Sequence, residues 1–195
     1  MPMLDQTETN PLYGRDGNCN NGSSHSDCDS VYFRSEQIYL HNICRIQYTT
    51  YDIWRGQDII NPLTPHWDIM LLATASDTDD SHPFLYAHML GIYHTNVIYA
   101  ADATQTYQAK WFEFLWVRWF EYQGWSVRWS NLKLDSITLP SVTSEGAFGF
   151  VDPGDVLRAC HIIPAFSSGK KYHDATGLSH CTDDSQDWCR YYVNR

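Results

Sequence analysis

The sequence predicts a mainly β protein, a small, partly open antiparallel barrel of about five to seven strands behind a polar leader. Aromatic residues make up 15% of the 195-residue chain, with eight Trp and thirteen Tyr. Such side chains lose χ1 freedom against a helical turn and suit a pleated, half-buried surface. Short segments rich in Ile, Val, Tyr, Thr and Trp recur between breaks containing Pro, Gly and Asp, which is the spacing of strands and turns. No coiled-coil heptads and no internal repeat compete with that reading.

Residues 1–30 hold Asn, Gly, Ser and Asp with little apolar material to offset ordering entropy, so they read as a flexible leader. The remainder, 31–195, reads as a single β-rich domain. From Val31 to Asn42 the apolar residues fit a short helix or a strand equally. Cys44 to Trp54 and Trp67 to Ala73 read as strands, and Thr74 to Pro83, with Asp77, Asp79 and Asp80, as an acidic loop. Phe84 to Ala100 is a long β stretch in which Gly91 signals a bulge or sharp bend. Trp111 to Glu121 is apolar on both faces of a period-two pattern and predicts a central strand. Tyr122 to Gly124 then leads into Trp125 to Leu134, whose alternation predicts a hairpin. Ile137 to Gly149 reads as loop and Asp152-Pro153-Gly154-Asp155 as a turn or helix entrance. Val156 to Ala165 resumes strand character, Ser167 to Asp187 is polar, and Trp188 to Val193 is a last strand.

Thirteen Lys and Arg against twenty-three Asp and Glu give a formal charge of -10. The cations are scattered, and only Lys170 and Lys171 are adjacent, so a protein partner is favoured over bare nucleic acid, whose backbone needs clustered cations. Met1 to Asn10 lacks a secretory pattern and nowhere do about 18 apolar residues run together, which predicts a soluble, intracellular protein with no membrane partner. The six Cys are widely and unevenly spaced, which favours free thiols over disulfides.

Several blocks match one family in order: YTTYDIWRGQDIINPLTPHWDIM (Tyr48 to Met70), HPFLYAHMLGIYH (His82 to His94), FLWVRWF (Phe114 to Phe120), FGFVDPGDVLRACHIIPAF (Phe148 to Phe166) and DWCRYYVNR (Asp187 to Arg195). Over roughly residues 44 to 195 the chain resembles the C-terminal accessory region of proteins encoded by basidiomycete fungal DNA transposons of the Plavaka and Kyakuja-Dileera-Zisupton kind. Separate blocks in a fixed order are more specific than one short motif. The resemblance implies an accessory domain that stops short of its usual C-terminal end, a transposase acidic triad lying upstream, and a possible nuclear setting. It also leaves room for a remnant with no selected activity. Where that family reads closer to a doubly charged pair, this chain has Trp54 and Gly56. At fold level the Gly-Ile-Tyr stretch, the strand at Val117 to Phe120 and the segment Val156 to Ile163 resemble the small barrel of bromo-adjacent homology domains, which are chromatin-binding modules.

Two candidate sites follow from the residues themselves. Trp54, Trp67, Tyr86, Tyr93, Trp119 and Trp125 beside carboxylates offer an aromatic cage for methylated lysine, held by cation–π attraction, although such rings also simply fill cores. Asp52, Asp58, His66 and Asp68 place oxygen and nitrogen ligands in one short stretch, the alternative being a metal-dependent hydrolase or nuclease fragment. Their spacing matches no ligand motif, and turn chemistry around Asn61-Pro62 and Pro65 accounts for them as well. Cys19 and Cys28 with His25, His180-Cys181 with Cys189, and His41-x2-Cys44 lack the paired spacing of zinc sites. Cys160 and His161, adjacent in a strand, point to opposite faces and do not form an activated thiol pair. No nucleophile elbow, phosphate loop, dinucleotide fingerprint or His-Glu-x-x-His is present. A non-enzymatic recognition domain without a cofactor is therefore the expected function.

Overall fold

In the computed structural model, the described residues are 31–50, 52–73, 82–99, 108–123, 134–172, 177–179, 182 and 184–194. They form twelve strands: β1 (Val31–His41), β2 (Cys44–Thr49), β3 (Arg55–Ile60), β4 (Asp68–Leu72), β5 (Phe84–Tyr99), β6 (Lys110–Trp119), β7 (Glu121–Tyr122), β8 (Asp135–Thr138), β9 (Phe148–Val151), β10 (Val156–Ala159), β11 (His161–Pro164) and β12 (Tyr191–Asn194). Helical structure among the described residues is confined to short 3-10 turns such as Pro153–Asp155. No helix there is long and apolar enough to cross a membrane, which says nothing of strands.

Every named ladder is antiparallel. The main sheet runs β10-β4-β5-β6-β9, with β1 paired to the distal half of β5; a second sheet runs β11-β12-β8-β7, and β2-β3 is a separate ribbon. No sheet among the described residues closes on itself, so the expected barrel gives way to open sheets, two of which are joined by the chain at two corners. The chain leaves the main sheet at Phe120, whose amide donates to the Tyr86 carbonyl at 3.0 Å, and continues as β7. It crosses again at Cys160, whose amide donates to the Asp68 carbonyl at 3.0 Å between β10 and β11. Strands that bend at a corner let one sheet fold over the end of another.

The strands β5 and β6 carry the sequence signal most directly. β6 is paired on both sides, and the register of β5 against it shifts between Met89 and Gly91, where the glycine predicted a bulge. An added Cβ at Gly91 would lie 2.5 Å from the Tyr93 ring, so the ring occupies the space over the glycine. One face of the main sheet supplies Ile69, Leu71, Ala87, Met89, Ile92, Leu115, Val117 and Trp119 to a core that the β2-β3 ribbon covers with Ile46 and Ile60. On the opposite face, Met70, Tyr86 and Phe120 meet Ile137, Leu139, Tyr191 and Val193 of the second sheet.

Several sequence readings are decided or changed. Val31 to His41 is a strand, exposed at every position and kinked where Ser35 and Glu36 take positive φ of 65° and 51°. Asp135–Thr138, expected partly as loop, is β8, and its Asp135 accepts the Tyr86 hydroxyl at 2.7 Å. The β stretch from Val156 to Ala165 divides at Cys160 between the two sheets. The expected leader, the acidic loop from residue 74 to 81 and most of the Trp125 hairpin lie outside the described residues.

Candidate functional site

The face of the main sheet that carries the second core does not end where that core ends. Asp68 of β4 stands opposite His88 of β5, and His88 opposite Arg118 of β6, so three polar side chains form one row across three strands. Residues directly opposite in an antiparallel ladder share a face. Around this row lies a cleft of about 270 Å³, walled by Trp67, Phe120, Trp188 and Tyr191.

Each polar group on the floor has a defined partner. Asp68 is 6% exposed, and its Oδ1 lies 3.0 Å from His88 Nδ1. Burial raises the Asp68 carboxyl above its ordinary value, opposed by the His88 hydrogen bond and by the charges of His88 and His161. Trp67 packs edge-on to His88, with ring centroids 4.4 Å apart. Arg118 is 1% exposed and holds Asp187 with two bonds, Nη1 to Oδ1 at 3.1 Å and Nη2 to Oδ2 at 2.7 Å. Its Nη2 also donates to the Pro140 carbonyl at 3.0 Å. The Arg118 Nε–H has no acceptor among the described residues. The two-bond fork is the geometry in which guanidinium and carboxylate match best.

The wall that carries Asp187 and Trp188 is pinned by Asp184, which is fully buried and accepts the backbone amides of Leu178 at 2.7 Å and Ser179 at 2.8 Å. Burial alone would raise the Asp184 carboxyl, but those two amides and Arg118 outweigh it and the net shift is downward. A carboxyl lowered on folding contributes stability above its ordinary value and loses it as pH falls through the folded value. Asp184→Asn should therefore flatten the acid limb of the stability curve below about pH 4, measured by urea unfolding across pH.

Of the sequence-predicted cage residues, the structure puts only Trp67 in the cleft. Tyr86 is buried beneath it, bonded to Asp135. Trp119 is buried in the other core. Tyr93 stacks on Phe114 at 5.4 Å. Trp54 is 75% exposed beyond the β2-β3 turn, and Trp125 lies outside the described residues. Trp54→Ser should change stability by less than about 0.5 kcal/mol, the range of surface substitutions, read from denaturant midpoints.

The proposed metal ligands have separate partners. Asp58 Oδ2 accepts the Ala159 amide at 2.9 Å and faces Arg158 Nε at 3.8 Å, docking the ribbon onto β10. Asp68 belongs to the cleft, and Asp52 and His66 are exposed. Among the described residues no three His, Cys, Asp or Glu form a group that could hold an ion. His41 bonds through Nε2 to His94 Nδ1, while the His94 ring lies between Tyr39 and Trp111. Cys44, Cys160 and Cys189 are free thiols, and the other three Cys lie outside the described residues. Burial and then the neighbouring Asp68 push the Cys160 thiol up, which keeps it protonated and removes the thiolate that nucleophilic chemistry needs.

Sequence reasoning missed Phe120, Trp188, Tyr191, Arg118 and Asp187 as site residues. One signal was present: Arg118 interrupts the apolar run FLWVRWF of a doubly paired strand, where a charge requires a buried partner. No family model, curated protein or solved structure matches the chain.

Proposed function

We propose that this domain is a recognition module whose cleft takes a cationic side chain, such as methylated lysine, from a partner protein. The observation that carries the proposal is the convergence of Trp67, Phe120, Trp188 and Tyr191 on a recess containing the buried Asp68 carboxylate. Aromatic faces attract a desolvated cation. Arg118 is already balanced by Asp187, and Asp68, whose Oδ1 meets His88, has its other oxygen to offer an incoming charge. Lys170 already sits 5.8 Å from the Trp188 ring centroid, an internal example of the same attraction. The Arg118 Nε–H supplies a donor that a ligand carbonyl would satisfy.

The net charge of -10 favours a basic protein segment over a bare phosphate backbone. The chromatin and nuclear setting, within a transposon-derived fungal protein, rests on the ordered sequence blocks; the open sheets lend nothing to the likeness to the small barrel of bromo-adjacent homology domains. The test is calorimetric titration with a trimethyllysine histone peptide, its unmodified form and a short DNA duplex at physiological salt. Saturable binding of the methylated peptide, weakened about 3- to 30-fold in Trp67→Ala, is expected. Tighter binding of the duplex would remove the proposal.

Affinity should also fall on acidification. The cation needs Asp68 ionised, and its carboxyl sits above the ordinary value, so binding weakens already at mildly acidic pH. Repeating the titration from pH 8 to about pH 5 checks the sign.

A further inference from the structure

The sheet face that floors the cleft carries aromatic rings beyond Arg118. Strand alternation puts Arg118, Trp116, Phe114 and Phe112 on one side of β6. The ladders set Tyr93 opposite Phe114, Phe150 opposite Trp116 and Phe148 opposite Arg118. The rings touch in series: Tyr93 on Phe114 at 5.4 Å, Phe114 edge-on to Phe150 at 5.6 Å, and Trp116 against Phe148 at 6.1 Å. Phe150 is 54% exposed, and Phe112, Phe114, Phe150 and Val151, with Glu113 and Asp152 beside them, line a shallow crevice.

We infer that this surface and the cleft form one docking track for an extended basic segment of another protein, in which a lysine enters the cleft and an aliphatic or proline side chain about four residues away packs on Tyr93, Phe114 and Phe150. The inference rests on the cleft reading above. The spacing follows from the strand: Arg118 and Phe114 are four residues apart on β6, roughly 14 Å in extended chain, and a ligand in the same extended form repeats that distance. Aromatic grooves suit proline and aliphatic side chains. Carboxylates stand at both ends, Asp68 in the cleft and Glu113 and Asp152 at the crevice, which suits a basic segment.

The test uses fluorescein-labelled ten-residue peptides carrying trimethyllysine, with Leu four positions to its N-terminal side, four to its C-terminal side, or replaced by Ser, titrated into the full chain. One Leu peptide should bind at least 5-fold tighter than the Ser peptide. Phe150→Ser, at an exposed position that should leave folding intact, should abolish that gain while leaving affinity for the Ser peptide unchanged. Equal affinities for the three peptides would overturn the track and leave the cleft reading standing, whereas no binding by any peptide removes both. Saturable binding of a single-stranded oligodeoxynucleotide that is lost in Phe150→Ser would also overturn it, making the rings a base-stacking surface.

Discussion

Asp187→Ala is expected to destabilise the domain by about 3–5 kcal/mol, because it strands the Arg118 guanidinium without its two-bond partner. Arg118 is 1% exposed, and its remaining acceptor among the described residues is the Pro140 carbonyl at 3.0 Å. Replacing both partners with apolar residues, Arg118→Met with Asp187→Leu, should recover most of the loss, since the cost arises from the orphaned charge more than from the missing attraction. Urea unfolding of the three proteins decides this. If Asp187→Ala and the double variant are equally unstable, the ion pair is not the source of the loss and the shape of the site is.

Asp68→Asn should separate stability from binding. The amide keeps the shape of the side chain and removes the charge whose burial raises the carboxyl. Folding should be unchanged or slightly favoured, because a carboxylate kept in a site that disfavours its charge opposes stability at neutral pH. Affinity for a trimethyllysine peptide should fall about 10- to 100-fold, the range of about 1.5–3 kcal/mol for interactions with a charged group. A functional site that costs the fold something is the ordinary pattern of stability traded for activity. Reduced affinity with unaltered folding is the expected pair of results; parallel loss of both would make Asp68 a structural residue.

Of the long strands, β5 and β6 were legible because period-two patterning and a lone glycine are local signals, whereas β1, exposed at every position, fitted a helix equally. β6 reads as central from its two apolar faces, and the β5 bulge reads from Gly91. β3 was not legible, since Arg55–Ile60 is polar at most positions and acquires its role only through pairing with β2 and through Asp58 reaching Ala159. β8 is four residues long and is fixed by partners on both sides rather than by its own composition.

Of the cleft residues, the sequence pointed to one aromatic wall and not to the others. An excess of aromatic residues with scattered carboxylates pointed to a cage, and Trp67 takes part in the cleft. The other walls come from Phe120 at a corner and from Trp188 and Tyr191 near the last strand, separations over which sequence periodicity carries no information. Asp58, grouped with Asp68 in the sequence, instead joins the ribbon to β10, because turn and docking chemistry draws on the same residue types as metal binding.

The most direct test of the account is the indole N–H region of the nuclear magnetic resonance spectrum, recorded while a trimethyllysine peptide is added to the protein with each Trp assigned by substitution. The account predicts saturable shifts at Trp67 and Trp188, with Trp54 and Trp111 unmoved, and their loss in Asp68→Asn. Shifts confined to Trp54 or Trp111, or none at saturating peptide, would contradict it.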